Sequence, residues 1–157
     1  MTHNFVFFYR SLNPFSNWYM CPFTHAGSQY NCGEQFMMYS KARLFKDFDV
    51  AELIMEQREP RKQKFLGRQV RGYDDATWMA ECEGLMIPGL KSKFLQNEYC
   101  LNTLLDTGDK IIVEASPYDK IWGIGLEESD HRALDQSQWL GKNLLGKCLM
   151  RVRDEIR

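Results

Sequence analysis

The sequence predicts an α+β fold, with a single compact and mostly helical domain over residues 1–157 around a small β-sheet. Two runs rich in aromatic and β-branched residues, at 5–10 and 110–116, predict strands, and helical segments fill most of the chain between them. The 157 residues are 44% hydrophobic, which is enough apolar surface for one core of this size. No internal repeat or low-complexity linker interrupts the chain, so one domain is expected.

Turn and capping residues separate the predicted elements. Asp49 is expected to cap the second helix, and Pro60 suits the first turn of the third. Pro88 and Gly89 are expected to break or kink the fourth helix. The resulting order is strand 5–10, short strand 28–32, helices 33–46, 50–57, 60–70, 75–86 and 90–108, strand 110–116 and helix 139–156.

Composition argues against several classes of protein. The formal net charge of -1 provides no broad basic field for a long nucleic acid, so any nucleic acid is expected to be bound locally. The five cysteines are scattered without CxxC spacing, which argues against a zinc site or a disulfide framework and predicts a reducing location. No segment resembles a membrane span or a signal peptide. We expect a cytoplasmic protein with no membrane contact, no metal and no cofactor.

The stretch EQFMMYSKARLF predicts a helix whose inner stripe carries two charges. The residues of this stripe are Glu34, Met37, Met38, Lys41 and Phe45. Glu34 and Lys41 lie roughly 10 Å apart along such a helix, which is too far for an ordinary ion pair. Two interpretations stay open at this point. The stripe lies at the edge of the core, with Lys41 extending to solvent, or both residues line a pocket and act on a ligand.

The second candidate region is EASPYDKIWGIG, residues 114–125. Glu114 ends a buried strand, where site residues commonly emerge, and Asp119 and Trp122 follow it. Gly123 allows a backbone to approach a ligand closely. The alternative is a turn in which Asp119 bonds its own backbone while Trp122 packs in the core.

Three further regions contain candidate binding residues. In FSNWYMCPF, Asn17 can recognise an amide or hydroxyl and Trp18 can stack on a base, although the loop can also be packed by its own aromatic residues. In LGRQVRG, Arg68 and Arg71 are candidate phosphate ligands among common surface arginines. Asn143 is an isolated polar residue in the last predicted helix. Motifs of serine hydrolases and zinc enzymes do not occur, which leaves carboxylate and lysine chemistry.

Six fragments in register across nearly the whole chain closely resemble the NADAR superfamily of N-glycosidases. They are FSNW, GEQFMMYSKA, LGRQV, KFLQN, TGDKIIVEASPYDKIWGIGL and NLLGKCLMRVR. The resemblance implies a compact helix-rich α+β domain that cleaves a ribosyl bond to an exocyclic amine. Positions matching the family's recurrent residues are Asn17, Glu34, Lys41, Trp78, Asp119, Trp122, Asn143 and Gly146. Pro88 and Gly89 interrupt a stretch that is continuous helix in some relatives.

The resemblance also implies substrates and roles. The substrate is either ADP-ribosylated guanine in nucleic acid, which the MMYSKA and EASPYDKIWGIG motifs favour, or a small ribosylamine of riboflavin biosynthesis. Lys41 is expected to act as a nucleophile that forms a Schiff base, with Glu34 transferring protons. Asp119 is expected to bind ribose hydroxyls or to act as a second acid/base group. The stacking residues are Trp18, Trp78 and Trp122.

Other functions and mechanisms stay open from the sequence. An oxocarbenium course through carboxylates is the alternative to the Schiff base. A module that binds ADP-ribose or a nucleotide without cleaving it is the main alternative to an enzyme, and a structural protein is the third possibility. The oligomeric state is not predicted.

Overall fold

The computed structural model describes residues 4–157, and residues 1–3 lie outside the described part. Its elements in chain order are β1 (Phe5–Phe8), β2 (Phe23–His25), β3 (Ser28–Tyr30), α1 (Gly33–Leu44), α2 (Phe48–Glu56), α3 (Pro60–Gly67), α4 (Asp75–Gln96), α5 (Glu98–Leu105), β4 (Ile111–Glu114), two short 3₁₀ helices (His131–Leu134 and Gln136–Gln138) and α6 (Leu144–Ile156). Helices predominate over short strands, so the predicted α+β class is confirmed. None of the helices within residues 4–157 is long and apolar enough to cross a membrane.

The described chain forms two compact units. The central unit comprises residues 17–97, and the terminal unit combines residues 4–16 with residues 98–157. Strands β2 and β3 and helices α1 to α4 belong to the central unit, whereas β1, β4, α5 and α6 belong to the terminal unit. The predicted catalytic residues are therefore divided, with Glu34 and Lys41 in the central unit and Asp119 in the terminal unit.

A parallel strand pair is the framework of the terminal unit. β1 pairs with β4 in a register that runs from Phe5 opposite Ile111 to Phe8 opposite Glu114. The buried core beside this pair consists of Val113, Ile124, Leu126 and Ala133. Helix α6 packs against β4. The packing holds the end of the strand that carries Glu114.

Helix α1 lies at the centre of the central unit, where it packs against α2, α3 and α4. Its buried Gln35 donates from Nε2 to the carbonyls of Ile54 and Gln57 at 3.1 and 3.2 Å, which satisfies the C-terminal end of α2. The β2–β3 hairpin contacts α4, and the N–H of Thr24 donates to Gln96 Oε1 at 2.8 Å. These contacts fix the orientation of α1 relative to its neighbours.

The start of α2 differs from the predicted one. The buried carboxylate of Asp47, not Asp49, caps this helix and accepts a hydrogen bond from the Val50 N–H at 3.2 Å. The helix consequently begins at Phe48. Asp49 instead lies in the first turn, where its negative charge is favoured by the helix dipole. Helix α3 is also shorter than predicted and ends at Gly67.

The last helix begins at Leu144 rather than at residue 139. Asn143 precedes it in the left-handed conformation, with φ of 54°, which a right-handed helix cannot include. Gly141 lies so close to the backbone that a Cβ would be 2.7 Å from the Lys120 Cα. The predicted first turn is therefore an irregular segment that packs closely on the preceding loop.

Helix α4 continues through Pro88, so it is not broken at Pro88 and Gly89, and the alternative of a kink there stays a prediction. Proline has no N–H and cannot donate to the carbonyl of Gly84 four residues earlier. Because Gly84 is exposed, water can hydrate that carbonyl. The helix ends instead at Asn97, whose extended backbone, with φ of −130°, separates α4 from α5.

Gly89 lies where α4 contacts α1, and a side chain at this position is expected to be destabilising. A Cβ would overlap the buried Phe36 ring. We expect Gly89→Ala to lower the free energy of unfolding by about 1–3 kcal/mol. Gly84→Ala is the matched control, since beyond its chain neighbours and the adjacent backbone of α4 the added Cβ would meet no described atom within 4 Å. It is expected to raise the free energy of unfolding by about 0.5–1 kcal/mol. Urea unfolding measures both, and equal effects would contradict the assigned contact.

Candidate active site

The start of α1 is attached to the loop that carries Asn17. The Asn17 carbonyl accepts a hydrogen bond from the Glu34 N–H at 2.8 Å. Gly33 permits this approach, because a Cβ there would lie 2.6 Å from Asn17 Oδ1. That amide oxygen is buried and has no hydrogen-bond partner within residues 4–157. It is therefore available to accept a hydrogen bond from a ligand next to Glu34.

The carboxylate of Glu34 is buried in the first turn of α1. Its Oε1 accepts a hydrogen bond from the indole Nε1 of Trp18 at 2.9 Å, and the residue is only 3% exposed. The N-terminal end of a helix favours a negative charge, and the indole N–H compensates part of the cost of desolvation. Trp18 thus orients a carboxylate that is shielded from bulk water, an environment suited to an acid/base group.

The amine of Lys41 lies between two aromatic rings near the other end of α1. Its Nζ is 4.6 Å from the centroid of the Tyr73 ring and 6.0 Å from that of Trp78. Burial lowers the pKa of Lys41, the negative charge of Glu34 raises it, and the positive charge of Arg68 lowers it, so the net pKa shift is downward. No carboxylate in the described residues lies within ion-pair distance of this amine, which favours its neutral, nucleophilic form.

Tyr73 is a site residue that the sequence reasoning missed. Its ring packs against Phe45 at a centroid distance of 5.3 Å and covers Lys41. Its hydroxyl donates to Asp75 Oδ1 at 2.8 Å. Burial and the Asp75 hydrogen bond raise the pKa of Tyr73 to about 12, so it remains a neutral phenol. Tyr73 lies in a loop between α3 and α4, where no periodic pattern signals a tertiary contact.

Lys93 is a fully buried lysine on α4 that was not among the predicted site residues. Its Nζ lies 5.8 Å from the Tyr19 ring centroid and 5.1 Å from that of Phe94. Burial raises the pKa of the nearby Cys32 thiol to about 11. The charge of Glu34 adds to this rise, and the charge of Lys93 opposes it. Cys32 is therefore a protonated thiol and a poor nucleophile. A lysine among apolar helix positions was the available sequence signal for Lys93, as it was for Lys41.

The two arginines of LGRQVRG have different environments. Arg68 is exposed and acts electrostatically on Lys41, which is compatible with its predicted role as a phosphate ligand. The Nη2 of Arg71 donates to Asp47 at 2.6 Å and to Asp49 at 3.0 Å, and its phosphate contact stays a prediction. This guanidinium holds the pKa of the Asp47 carboxyl well below its ordinary value. Arg71 therefore secures the cap of α2.

In the loop after β4, Asp119 forms the turn that the sequence analysis gave as the alternative to a functional role for this residue. Its Oδ1 accepts hydrogen bonds from the backbone N–H groups of Ile121 and Trp122, both at 2.9 Å. The Trp122 side chain is buried. Gly123 is required for this packing, because a Cβ would lie 2.9 Å from the Asp119 carbonyl oxygen. Substrate contacts of Asp119, Trp122 and Gly123 stay predictions.

Asn143 joins β4 to the start of α6. Its Nδ2 donates to the Ile112 carbonyl at 2.9 Å, and its Oδ1 accepts from the Glu114 N–H at 3.0 Å. A Cβ at Gly146 would overlap the Ile112 carbonyl, so this glycine allows the same approach. These bonds give Asn143 a structural role, and its predicted contact with substrate stays a prediction.

The predicted site residues form two groups, one in each unit. Those in the central unit are Asn17, Trp18, Glu34, Lys41, Arg68 and Trp78, and those in the terminal unit are Glu114, Asp119, Trp122, Gly123 and Asn143. Contacts in the central unit link Asn17 and Trp18 to Glu34, and Trp78 to Lys41. Within residues 4–157, no group of three His, Cys, Asp or Glu side chains is placed to hold a metal ion.

The fold and this helix face define a small α+β protein that presents a buried carboxylate and a shielded lysine on one helix. The chain belongs to the NADAR family, as its motifs predicted: the NADAR domain model matches residues 7–157. It is 39% identical to an N-glycosidase of Acanthamoeba polyphaga mimivirus, over 98% of this chain and 97% of that protein. Protein irg-1 of Caenorhabditis elegans is 37% identical, over 99% of this chain and 81% of that protein.

A solved structure shares the fold. The NMR structure of the E. coli protein YbiA matches with a TM-score of 0.80 and 26% sequence identity. The match covers 99% of this chain and 86% of that chain. The similarity therefore extends over both compact units.

Proposed function

We propose that this protein, an N-glycosidase of the NADAR family, removes ADP-ribose from ADP-ribosylated guanine in nucleic acid. The class of enzyme, a hydrolase of N-glycosidic bonds, rests on the NADAR match and on the mimiviral relative named as an N-glycosidase. The observation that carries the proposed catalysis is the pair of Glu34 and Lys41 on one helix, a buried carboxylate with a half-buried amine of lowered pKa. A module that only binds ADP-ribose does not require both groups.

In the first half of the proposed reaction, ribose C1 is transferred from the guanine nitrogen to Lys41. C1 carries both the ring oxygen and the exocyclic nitrogen, so the ring opens when its oxygen takes a proton from Glu34 and the nitrogen lone pair forms a C=N bond. The neutral Lys41 Nζ then adds to C1. Nζ loses a proton, the guanine nitrogen gains one and leaves with the electrons of its C1 bond. A Schiff base between C1 and Nζ remains.

Water completes the proposed cycle. It adds to C1 of the Schiff base, and the C1–Nζ bond breaks with its electron pair returning to Lys41. Ring opening has left Glu34 as a carboxylate, which accepts the first proton of this water and passes it to the departing amine. Glu34 accepts the second proton as the C1 carbonyl forms, and so returns to its acid form. The open sugar then closes its ring. The balance is one water consumed, with ADP-ribose and the unmodified amino group of guanine as products.

Ribosylamines of riboflavin biosynthesis are the second candidate substrates. A riboflavin biosynthesis protein of Vibrio vulnificus is 28% identical over 90% of this chain, although the chain spans only 35% of that protein. Such intermediates contain the same type of C1–N bond. We favour the guanine-linked substrate because the MMYSKA and EASPYDKIWGIG motifs most resemble family members that act on it. A local rather than extended nucleic-acid contact also suits a net charge of -1.

The test is release of ADP-ribose from a single-stranded oligonucleotide that carries one ADP-ribosylated guanine, followed by mass spectrometry. We expect the oligonucleotide to return to the mass of its unmodified form while free ADP-ribose accumulates. The ribosylamines of riboflavin biosynthesis are assayed in parallel. Cleavage of these alone would identify the second candidate, and binding of ADP-ribose with no cleavage of either substrate would overturn the proposed enzyme activity.

A further inference from the structure

The central unit contains a cleft on the side of α1 that faces away from Glu34 and Lys41. It has a volume of about 400 Å³, which lies within the ordinary range for ligand sites of about 300–1,000 Å³. Residues of the β2–β3 hairpin, α1 and α4 line it, and we call it the α1–α4 cleft. Its lining includes Tyr30, Tyr39, Ser40, Arg43, Leu44 and Gly84.

Aromatic side chains form a rigid wall of the α1–α4 cleft. The Tyr30 ring contacts the Phe36 ring at a centroid distance of 5.1 Å and the Tyr39 ring at 5.8 Å. Tyr30 and Phe36 are buried, whereas Tyr39 is half-buried and presents part of its ring to the cleft. A fixed and partly exposed ring is the type of surface on which a nucleobase stacks.

Arg43 provides a cation at the edge of this wall. Its guanidinium lies 5.7 Å from the Tyr39 ring centroid and 5.4 Å from that of Phe48, and Nη1 is 3.4 Å from the Tyr39 hydroxyl. Within residues 4–157, no carboxylate forms an ion pair with Arg43, and the residue is exposed. A guanidinium held by stacking on rings keeps its N–H edges available for a phosphate.

Helix α4 adds polar backbone to the same cleft. Pro88 and Gly84 both line it, and the Gly84 carbonyl cannot accept the usual helical hydrogen bond because Pro88 has no N–H. Ser40 of α1 also lines the cleft and carries a hydroxyl. The cleft therefore combines a ring to stack on, a cation for a phosphate, and groups that can bond to the edge of a base.

We propose that the α1–α4 cleft binds a nucleotide of the single strand that flanks the modified guanine, with its base on Tyr39 and its phosphate on Arg43. This inference rests on the proposed function. At 3.6 residues per turn, Leu44 lies about 60° and Arg43 about 160° around α1 from Lys41. A helix with its side chains is only about 10–12 Å across, so a short length of strand passes from one face to the other. A single contact of this kind is consistent with the formal net charge of -1, which provides no broad basic field for a longer strand.

The first experiment measures binding without catalysis. The probe is a fluorescein-labelled, unmodified single-stranded oligonucleotide, and fluorescence anisotropy gives Kd at several salt concentrations. Tyr39→Ala is expected to raise Kd about tenfold, whereas Tyr39→Phe retains the ring and binds like the wild type. Arg43→Gln is expected to reduce the slope of log Kd against log salt by about 0.7. The control is Arg61→Gln, at an exposed arginine on α3 outside the cleft, and thermal melting verifies that every variant is folded.

The second experiment links the cleft to turnover. The ratio of kcat/KM on an ADP-ribosylated oligonucleotide to kcat/KM on ADP-ribosylated guanosine monophosphate is expected to fall about tenfold in Tyr39→Ala and in Arg43→Gln. An unchanged ratio in the variants would overturn the proposed role of the cleft in binding the strand. Equal effects of Arg43→Gln and Arg61→Gln on Kd would overturn it as well. Failure of the wild type on both substrates would instead contradict the proposed function, and the binding experiment still decides whether the cleft holds a strand.

Discussion

Glu34→Gln is expected to lower kcat/KM for release of ADP-ribose about 10²–10⁴-fold, the usual loss for a group that transfers protons. The substitution preserves size and shape, and the glutamine Oε1 can still accept the hydrogen bond from Trp18. We therefore expect the thermal stability to change little. Release of ADP-ribose by mass spectrometry and the melting temperature are the two measurements. A fully active Glu34→Gln variant would exclude Glu34 as the acid/base group.

The Glu34→Gln substitution distinguishes two possible roles of Glu34, which are proton transfer and control of the pKa of Lys41. The negative charge of Glu34 raises the pKa of Lys41, so glutamine lowers that pKa further and leaves more of the amine neutral. If Glu34 only tuned Lys41, Glu34→Gln would be as active as the wild type or more active near neutral pH. A large loss therefore indicates proton transfer. Glu52→Gln, at an exposed carboxylate on α2, is the control for removing one negative charge.

The regular elements of this fold were predicted where the local pattern was sufficient. The pattern of α1 predicted 33–46 against the observed Gly33–Leu44, and the run of β-branched residues predicted β4. β2 was missed because it has only three residues, too few to show alternation. Its hairpin turn uses Ala26 and Gly27, both with positive φ, and alanine gives no sequence signal for that conformation.

The candidate site was predictable only in the part that one helix contributes. Glu34 and Lys41 are separated by two helical turns, so their common face follows from spacing alone. The contact of Tyr73 with Lys41 joins a loop to a helix more than thirty residues away, and no local pattern encodes it. The direction of the pKa shift of Lys41 could not be predicted from the sequence either, because burial lowers this pKa and the charge of Glu34 raises it. The structure resolves this balance in favour of burial.

Lys41→Arg is expected to lower kcat/KM by more than about a thousandfold, because a guanidinium keeps the positive charge but does not form a Schiff base with C1. The wild type should also lose kcat/KM as the pH falls below the pKa of Lys41, because protonation removes the nucleophile. That pKa is lowered, so the decline begins at a lower pH than for an ordinary lysine. Lys62→Arg, at an exposed lysine of α3, is the control.

Borohydride reduction during turnover distinguishes the Schiff base from an oxocarbenium course. We expect mass spectrometry to find a reduced sugar adduct on the peptide that contains Lys41 in the wild type and none in Lys41→Arg. Activity without any adduct would favour an oxocarbenium course. An adduct on Lys93 would transfer the nucleophilic role to that residue. The geometry argues against this outcome, because Lys93 is fully buried whereas the half-exposed Lys41 amine can be reached by a sugar. A nucleophile must approach C1 directly, so accessibility decides between two lysines that apolar surroundings both desolvate.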